Sequence, residues 1–283
     1  MNLIDGKQIS AALKADVAAA VAAAREKYGR EPHLVVVRVG EDPASVVYVR
    51  NKARACELVG IRNTTVVLDE STTEEQLLAR IRELNVDDGV DGILVQLPLP
   101  RHISEARVIE TIVKEKDVDG FHPYNVAGLW QKTPHMEPCT PKGIMKLLSA
   151  IGVDPKGKRA VVIGRSNIVG LPVAKMLLDA NATVTLCHTR TADLPSVTRQ
   201  AEILVVAAGR ARMVTGDMVS DGVIVIDVGM DSDPVSGKLC GDVDFESVAP
   251  KASWITPVPG GVGPMTIACL MENTLECFLA SRE

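Results

Sequence analysis

In the second half of the chain the runs "KRAVVIG", "ATVTLCH", "EILVVAAG" and "GVIVIDVG" follow one another at intervals of about 20 residues. Each is a short β-type run rich in β-branched residues. Antiparallel neighbours need only a tight turn between them, whereas parallel neighbours need a crossover of about a dozen residues or more. The interval therefore predicts a parallel sheet with crossover connections, whose loops at the carboxyl ends of the strands carry ligand sites.

The first half shows the same alternation of strand and helix. Ile9, Leu13, Val17 and Val21 in an alanine-rich background predict an amphipathic helix stopped by Gly29. "HLVVVRVG" reads as a buried strand, Pro43 opens a helix through "ASVVYVRNKARACELVG" that Gly60 closes, and "IRNTTVVLD" is the next strand. Ser71 and Thr72 each stand three residues before a glutamate (Glu74, Glu75), a doubled capping-box pattern ahead of the helix "EEQLLARIREL". "DGILVQLPLP" is a third strand. From Asp117 to Thr140 the periodicity is lost, and this segment is read as linker and active-site wall. Thr140 as cap and Pro141 in the first turn open the helix "PKGIMKLLSAIG"; the chain closes with the glycine loop "TPVPGGVGP" and the amphipathic helix "MTIACLMENTLECFLAS".

A length of 283 residues exceeds one ordinary domain, so two α/β domains are expected. A net charge of -5 argues against binding to nucleic acid or to anionic membrane surfaces. No apolar run is long enough to span a bilayer, and "MNLIDGKQIS" lacks the pattern of a secretory signal, so the expected address is the cytoplasm. The six cysteines form no C-x-x-C pair and are read as reduced thiols; Cys187-His188 lacks further ligands at metal spacing, so no metal site is expected.

"VVIGRSNIVGLP" is a strand, a turn opening on Gly164, and a helix starting near Val169. Gly164 and Gly170 let the backbone approach a pyrophosphate at a helix N-terminus, where free N–H groups and the helix dipole favour anions. The spacing departs from G-x-G-x-x-G, and a glycine turn between strand and helix also serves purely structural ends. An NAD enzyme needs a carboxylate at the end of the next strand, about 20 to 25 residues on, for the ribose 2′-hydroxyl. This chain reads "CHTRT" there, and Arg190, with Arg165 in the first turn, suits a 2′-phosphate instead. NADP is therefore favoured over NAD.

Tyr48 and Lys52, four residues apart, share a helix face, and Gln96 interrupts the third strand at the edge where parallel sheets bind ligands. If helix and strand meet, Lys52 can reach Gln96. A snorkelling lysine and a satisfied edge glutamine would carry the same residues without any chemistry.

Taken together, "VGEDPASVVYVRNKARACELVGI", "NVDDGVDGILVQLPLP", "KDVDGFHPYN", "VVIGRSNIVGLP" and "TPVPGGVGPMT" span nearly the whole chain. In that order they resemble the bifunctional methylenetetrahydrofolate dehydrogenase/methenyltetrahydrofolate cyclohydrolase family. The resemblance implies a homodimer of two-domain α/β subunits, the second domain Rossmann-like and NADP-binding, with the folate site in the cleft between domains. It places a folate-binding catalytic domain at 1–139, joined by the C-terminal helix 264–283, and the NADP-binding domain at 140–263. By the same resemblance Lys52 is the essential lysine, Gln96 its hydrogen-bond partner, and Tyr48 lines the folate pocket. Asp119 holds the pterin, and the loop Pro259, Gly260, Gly261 flanks the folate. Gly164, Arg165, Ser166, Thr189 and the backbone at Met230 contact NADP. "HTR" at 188–190 stands where relatives commonly carry His-Ser-Lys, and "FHPYNVAGLW" departs from the shorter polar phrasing usual after "DVDG".

The expected activity is NADP-dependent oxidation of 5,10-methylenetetrahydrofolate followed by hydrolysis to 10-formyltetrahydrofolate. Three alternatives stand beside it: a dehydrogenase without cyclohydrolase activity, a non-catalytic dinucleotide or folate sensor, and an unrelated hydroxy-acid or amino-acid dehydrogenase. The presence of Tyr48, Lys52, Gln96 and Asp119 together argues against the first two.

Overall fold

The computed structural model describes residues 1–233 and 237–282. A two-residue strand, β1 (Asn2–Leu3), precedes the alanine-rich helix α1 (Gly6–Tyr28), which buries Val17, Val21 and Ala24 and ends where Gly29 adopts φ +76°. β2 (His33–Val39) is buried at every position. α2 (Pro43–Val59) begins where the Asp42 carboxylate accepts from Ser45 N at 2.8 Å and ends at Gly60, whose left-handed backbone returns its N–H to Cys56 O and Glu57 O. β3 (Arg62–Leu68) lies at the edge of its sheet and has only exposed and half-buried residues.

Ahead of α3 (Glu74–Asn85) the capping box differs from the expected one. Thr73 caps the helix and Gln76 returns its side chain to the Thr73 N–H, while Ser71 is turned back on Asp69. Both pairings obey the same three-residue rule, and the local turn at Asp69–Thr72 decides between them. β4 (Gly92–Val95) completes a parallel sheet of order β3-β2-β4. One face is covered by Leu77, Leu78, Ile81 and Leu84 of α3, and α4 (Glu105–Thr111) adds Val108 to the same core.

The stretch after Asp117 is more ordered than its lost periodicity suggested. It contains α5 (Pro123–Gln131), opened by Pro123 and stopped by Lys132 at φ 62°. Nine residues give too few apolar repeats for a period to show. α6 (Cys139–Ala150) starts one residue before Thr140, so Thr140 lies inside the helix and its hydroxyl meets that of Thr266 at 2.9 Å.

The elements that follow are β5 (Arg159–Ile163), α7 (Gly170–Asp179), β6 (Thr183–Cys187), α8 (Leu194–Thr198), β7 (Ile203–Val206) and β8 (Ile224–Asp227). After them come the hairpin β9 (Asp231–Ser232) and β10 (Leu239–Cys240), then α9 (Phe245–Val248), β11 (Trp254–Ile255) and α10 (Val262–Ala280). Six strands make a parallel sheet of order β1-β11-β8-β7-β5-β6. β1 and β11 went unseen in the sequence because two residues carry no alternation.

The chain divides into two compact units, Met1–Ser10 with Thr140–Thr266, and Ala11–Cys139 with Ile267–Glu283. The first ten residues thus lie with the six-stranded sheet and not, as assigned from the sequence, with the first domain. The cause is the pairing of β1 with β11, together with Gly6, where an added Cβ would fall 1.8 Å from Gly261 O. Among the described residues no helix is long and apolar enough to cross a membrane.

Candidate active site

In the unit built on β3-β2-β4, α2 carries Tyr48 and Lys52 one turn apart, and the chain leaves β4 directly into Gln96. Lys52 is only 9% exposed, and its Nζ donates to Gln96 Oε1 at 2.9 Å. Gln96 is held through both its backbone and its side chain. Gln96 N donates to Val37 O at 2.8 Å, and Nε2 donates to Leu97 O at 2.6 Å, ahead of the cis Leu97–Pro98 bond. With Nε2 engaged, the oxygen is the end presented to the lysine.

Asp119 is the third partner. It follows Val118, whose carbonyl accepts from Asn273 Nδ2 of α10 at 2.9 Å and from Cys139 Sγ at 3.3 Å. Asn273, fully buried, donates also to Glu137 O at 2.9 Å, so one side chain secures the backbone on both sides of the α5 insertion. Asp117, before Val118, spends its carboxylate on His122 N at 2.7 Å and Asn125 Nδ2 at 2.8 Å and is thereby structural.

The electrostatics couple Lys52 to Asp119. Burial pushes the Lys52 ammonium below its usual value, and the nearby Asp119 carboxylate pulls it back. Burial pushes Asp119 up to about 6, restrained by Lys52, raised further by Asp117 and lowered by a hydrogen bond from Cys139. The Tyr48 hydroxyl is raised by burial alone. A lysine easier to deprotonate than usual beside an acid that titrates close to neutrality is suited to moving protons. Cys139 and Asn273 were not singled out in the sequence; they lie 87 and 221 positions from Lys52 by residue number, and no local motif joins them.

In the other unit the glycine turn lies at the carboxyl end of β5. Gly164 has φ +119°, and an added Cβ would fall 2.1 Å from Ala207 O; one on Gly170 would fall 2.1 Å from Gly164 O. Gly164 N donates to Cys187 O at 2.9 Å, which joins the ends of β5 and β6. Arg165 and Ser166 after β5, and Thr189 and Arg190 after β6, are exposed at that same end of the sheet. Ser166 Oγ accepts from Val169 N at 3.2 Å and Gly170 N at 3.4 Å, so the amides of this turn converge. Backbone that only glycine can occupy, a helix start and two exposed arginines form a donor set that fits a phosphorylated dinucleotide. Met230, 44% exposed, follows β8, and a Cβ added at Gly263 at the start of α10 would lie 3.7 Å from its sulfur. Pro259, Gly260 and Gly261 lie in this same unit, where Gly260 O accepts from Lys7 N at 3.1 Å.

Fold and side chains together define an α/β enzyme with a dinucleotide-type crevice in one unit and a buried lysine centre in the other. Residues 4–119 match the family model described as tetrahydrofolate dehydrogenase/cyclohydrolase, catalytic domain, and residues 138–282 match its NAD(P)-binding domain. The Bifunctional protein FolD of Magnetococcus marinus is 56% identical over 275 residues, 97% of this chain and 96% of that one. The crystal structure of the bifunctional enzyme FolD, a methylenetetrahydrofolate dehydrogenase/cyclohydrolase from Campylobacter jejuni, superposes with a TM-score of 0.96 at 52% identity, covering 99% of each chain. The Trypanosoma brucei methylenetetrahydrofolate dehydrogenase-cyclohydrolase, complexed with NADP and an inhibitor, gives 0.95 at 40% identity, covering 99% of this chain and 98% of that one. The chain belongs to the tetrahydrofolate dehydrogenase/cyclohydrolase family.

Proposed function

We propose that the chain oxidises 5,10-methylenetetrahydrofolate to the 5,10-methenyl form with NADP and then hydrolyses that product to 10-formyltetrahydrofolate. The observation that carries the reading is the hydrogen bond from buried Lys52 to an amide oxygen whose orientation the Leu97 carbonyl fixes, with Asp119 as electrostatic partner. Bound NADP supplies the acceptor for the hydride that leaves the methylene carbon. Gly164, Arg165, Ser166, Gly170, Thr189, Arg190 and the Met230 backbone hold it, the two arginines toward the 2′-phosphate.

Loss of hydride leaves a cationic methenyl bridge. Water adds to its carbon and loses a proton to give a neutral carbinol. The carbinol then loses its hydroxyl proton to form the formyl C=O as the carbon–N5 bond breaks and N5 takes up a proton. Two protons thus leave the water oxygen, one goes to N5 and one is released overall. Lys52 is the group that takes the proton from water and returns one to N5, since burial and a cationic substrate both favour its neutral form. Gln96 holds that amine in place. Tyr48 offers a ring to the folate and a hydroxyl to the relay. Asp119 accepts in parallel from the amino group and ring N–H of the pterin, and Pro259, Gly260 and Gly261 flank the folate. The reading carries with it a homodimer working in the cytoplasm.

The test is a coupled assay of the purified chain with 5,10-methylenetetrahydrofolate and either NADP or NAD, following cofactor reduction and methenyl absorbance together. Reduction with little methenyl build-up, and 10-formyltetrahydrofolate as product, is expected. Methenyl accumulating as fast as cofactor is reduced would leave a dehydrogenase alone. Folate binding without reduction would make the chain a sensor.

A further inference from the structure

The order of the six-stranded sheet locates the crevice. From β5 the chain passes out to β6 at the edge and returns to the opposite side of β5 as β7, and ligands of such sheets bind where the order reverses, at the carboxyl ends. The walls there are the Gly164 turn and the segment Ala207–Arg210 that follows β7. They are in contact: Ala207 N donates to Ile163 O at 2.7 Å, and the Ala207 carbonyl is what forbids a side chain at Gly164.

The second wall is held from behind by a single side chain. Three successive amides, Ala208 N at 2.7 Å, Gly209 N at 3.2 Å and Arg210 N at 2.6 Å, all donate to the carboxylate of Asp242, which is fully buried. Asp242 is itself fixed. Its own N–H donates to Asp227 Oδ1 at 3.0 Å, and Asp227, the last residue of β8, accepts also from Gly229 N at 2.9 Å and Val243 N at 3.0 Å. The Asp231 carboxyl, next after Met230, is raised by burial and by the neighbouring Asp242 carboxylate. Added Cβ atoms on Gly229 and Gly241 would meet Asp242 N at 2.2 Å and Asp227 Oδ2 at 1.9 Å, so the two carboxylates are enclosed by backbone. Asp242 thus joins the loop after β7 to the loop after β8, and none of its own surface reaches the crevice.

We infer that Asp242 is a positioning residue for the dinucleotide: it sets the Ala207–Arg210 backbone into the shape the cofactor lies against. This rests on the NADP reading above.

The experiment is calorimetric NADP binding to the wild-type chain and to Asp242→Asn, with KM for NADP, and with hydrolysis of 5,10-methenyltetrahydrofolate measured in the absence of NADP. An amide side chain offers one acceptor where the carboxylate offers two, so at least one of the three N–H groups loses its partner. NADP affinity is expected to fall about tenfold, with KM for NADP rising in step and methenyl hydrolysis within about twofold of wild type. Asp242→Glu, which keeps the charge but displaces it, is expected to fall between the two and carries the test if Asp242→Asn does not fold. Unchanged NADP affinity in both variants, or equal losses of NADP binding and methenyl hydrolysis, would overturn the inference. A wild-type chain that binds no NADP would bring down the functional reading, and this inference with it.

Discussion

Lys52 donates to the one end of Gln96 that is left available, because the other end is already spent on the carbonyl of Leu97. The lysine therefore faces an uncharged acceptor in a buried setting, which keeps its neutral form accessible. Gln96→Glu would place a carboxylate against the ammonium and raise the lysine pKa. Methenyl hydrolysis should drop by about tenfold or more near neutrality and recover toward alkaline pH, while Lys52→Met should abolish it with folate binding largely kept. A pH–rate profile of both variants decides, and normal hydrolysis by Lys52→Met would remove the relay role.

Asp119 makes folate binding depend on pH. Its carboxyl is pushed up to about 6, above the usual carboxylate range, so the folded chain holds this proton between about pH 4 and 6 where an unfolded chain has lost it. Only the ionised form accepts two hydrogen bonds from the pterin. Affinity for 5-formyltetrahydrofolate should therefore tighten as pH rises through about 6 and level off above it, and Asp119→Asn should bind weakly with a flat profile. Fluorescence titration from pH 5 to 8 measures this; a wild-type affinity that does not move would count against the pterin assignment.

Arg165→Ala should weaken NADP by about 1 to 3 kcal/mol and spare NAD, since only the former carries the phosphate. Arg165 and Arg190 are exposed at the ends of adjacent strands, so an unchanged preference in Arg165→Ala would shift the phosphate contact to Arg190, and the double variant would show it.

Asn273→Leu would take one buried donor from each of the carbonyls of Val118 and Glu137, leaving Val118 O the weaker Cys139 thiol, at a cost of about 1 to 3 kcal/mol in stability. Because Val118 precedes Asp119, folate affinity should fall as well, with NADP affinity unaffected. Urea unfolding with paired binding titrations would separate the two effects; loss of NADP binding alone would contradict the placement.

The sequence by itself determined the features that neighbouring residues encode. Strand and helix alternate as the apolar runs and the glycine and proline punctuation predict, since burial periodicity and backbone restriction act over a few residues. The shared helix face of Tyr48 and Lys52, and the glycine turn after β5, are legible for the same reason. Only the tertiary structure decided the rest. β1 exists because β11 pairs with it from across the chain, and Thr73 caps α3 in place of Ser71 and Thr72 because the Asp69 turn uses them first. Asn273 reaches Val118 over 155 positions, and Asp242 reaches Ala208 over 34. Each side chain was chosen for a partner that chain folding brings close. A hydrogen bond of that range leaves no period, spacing or composition from which it can be read, because its two ends share no local backbone geometry.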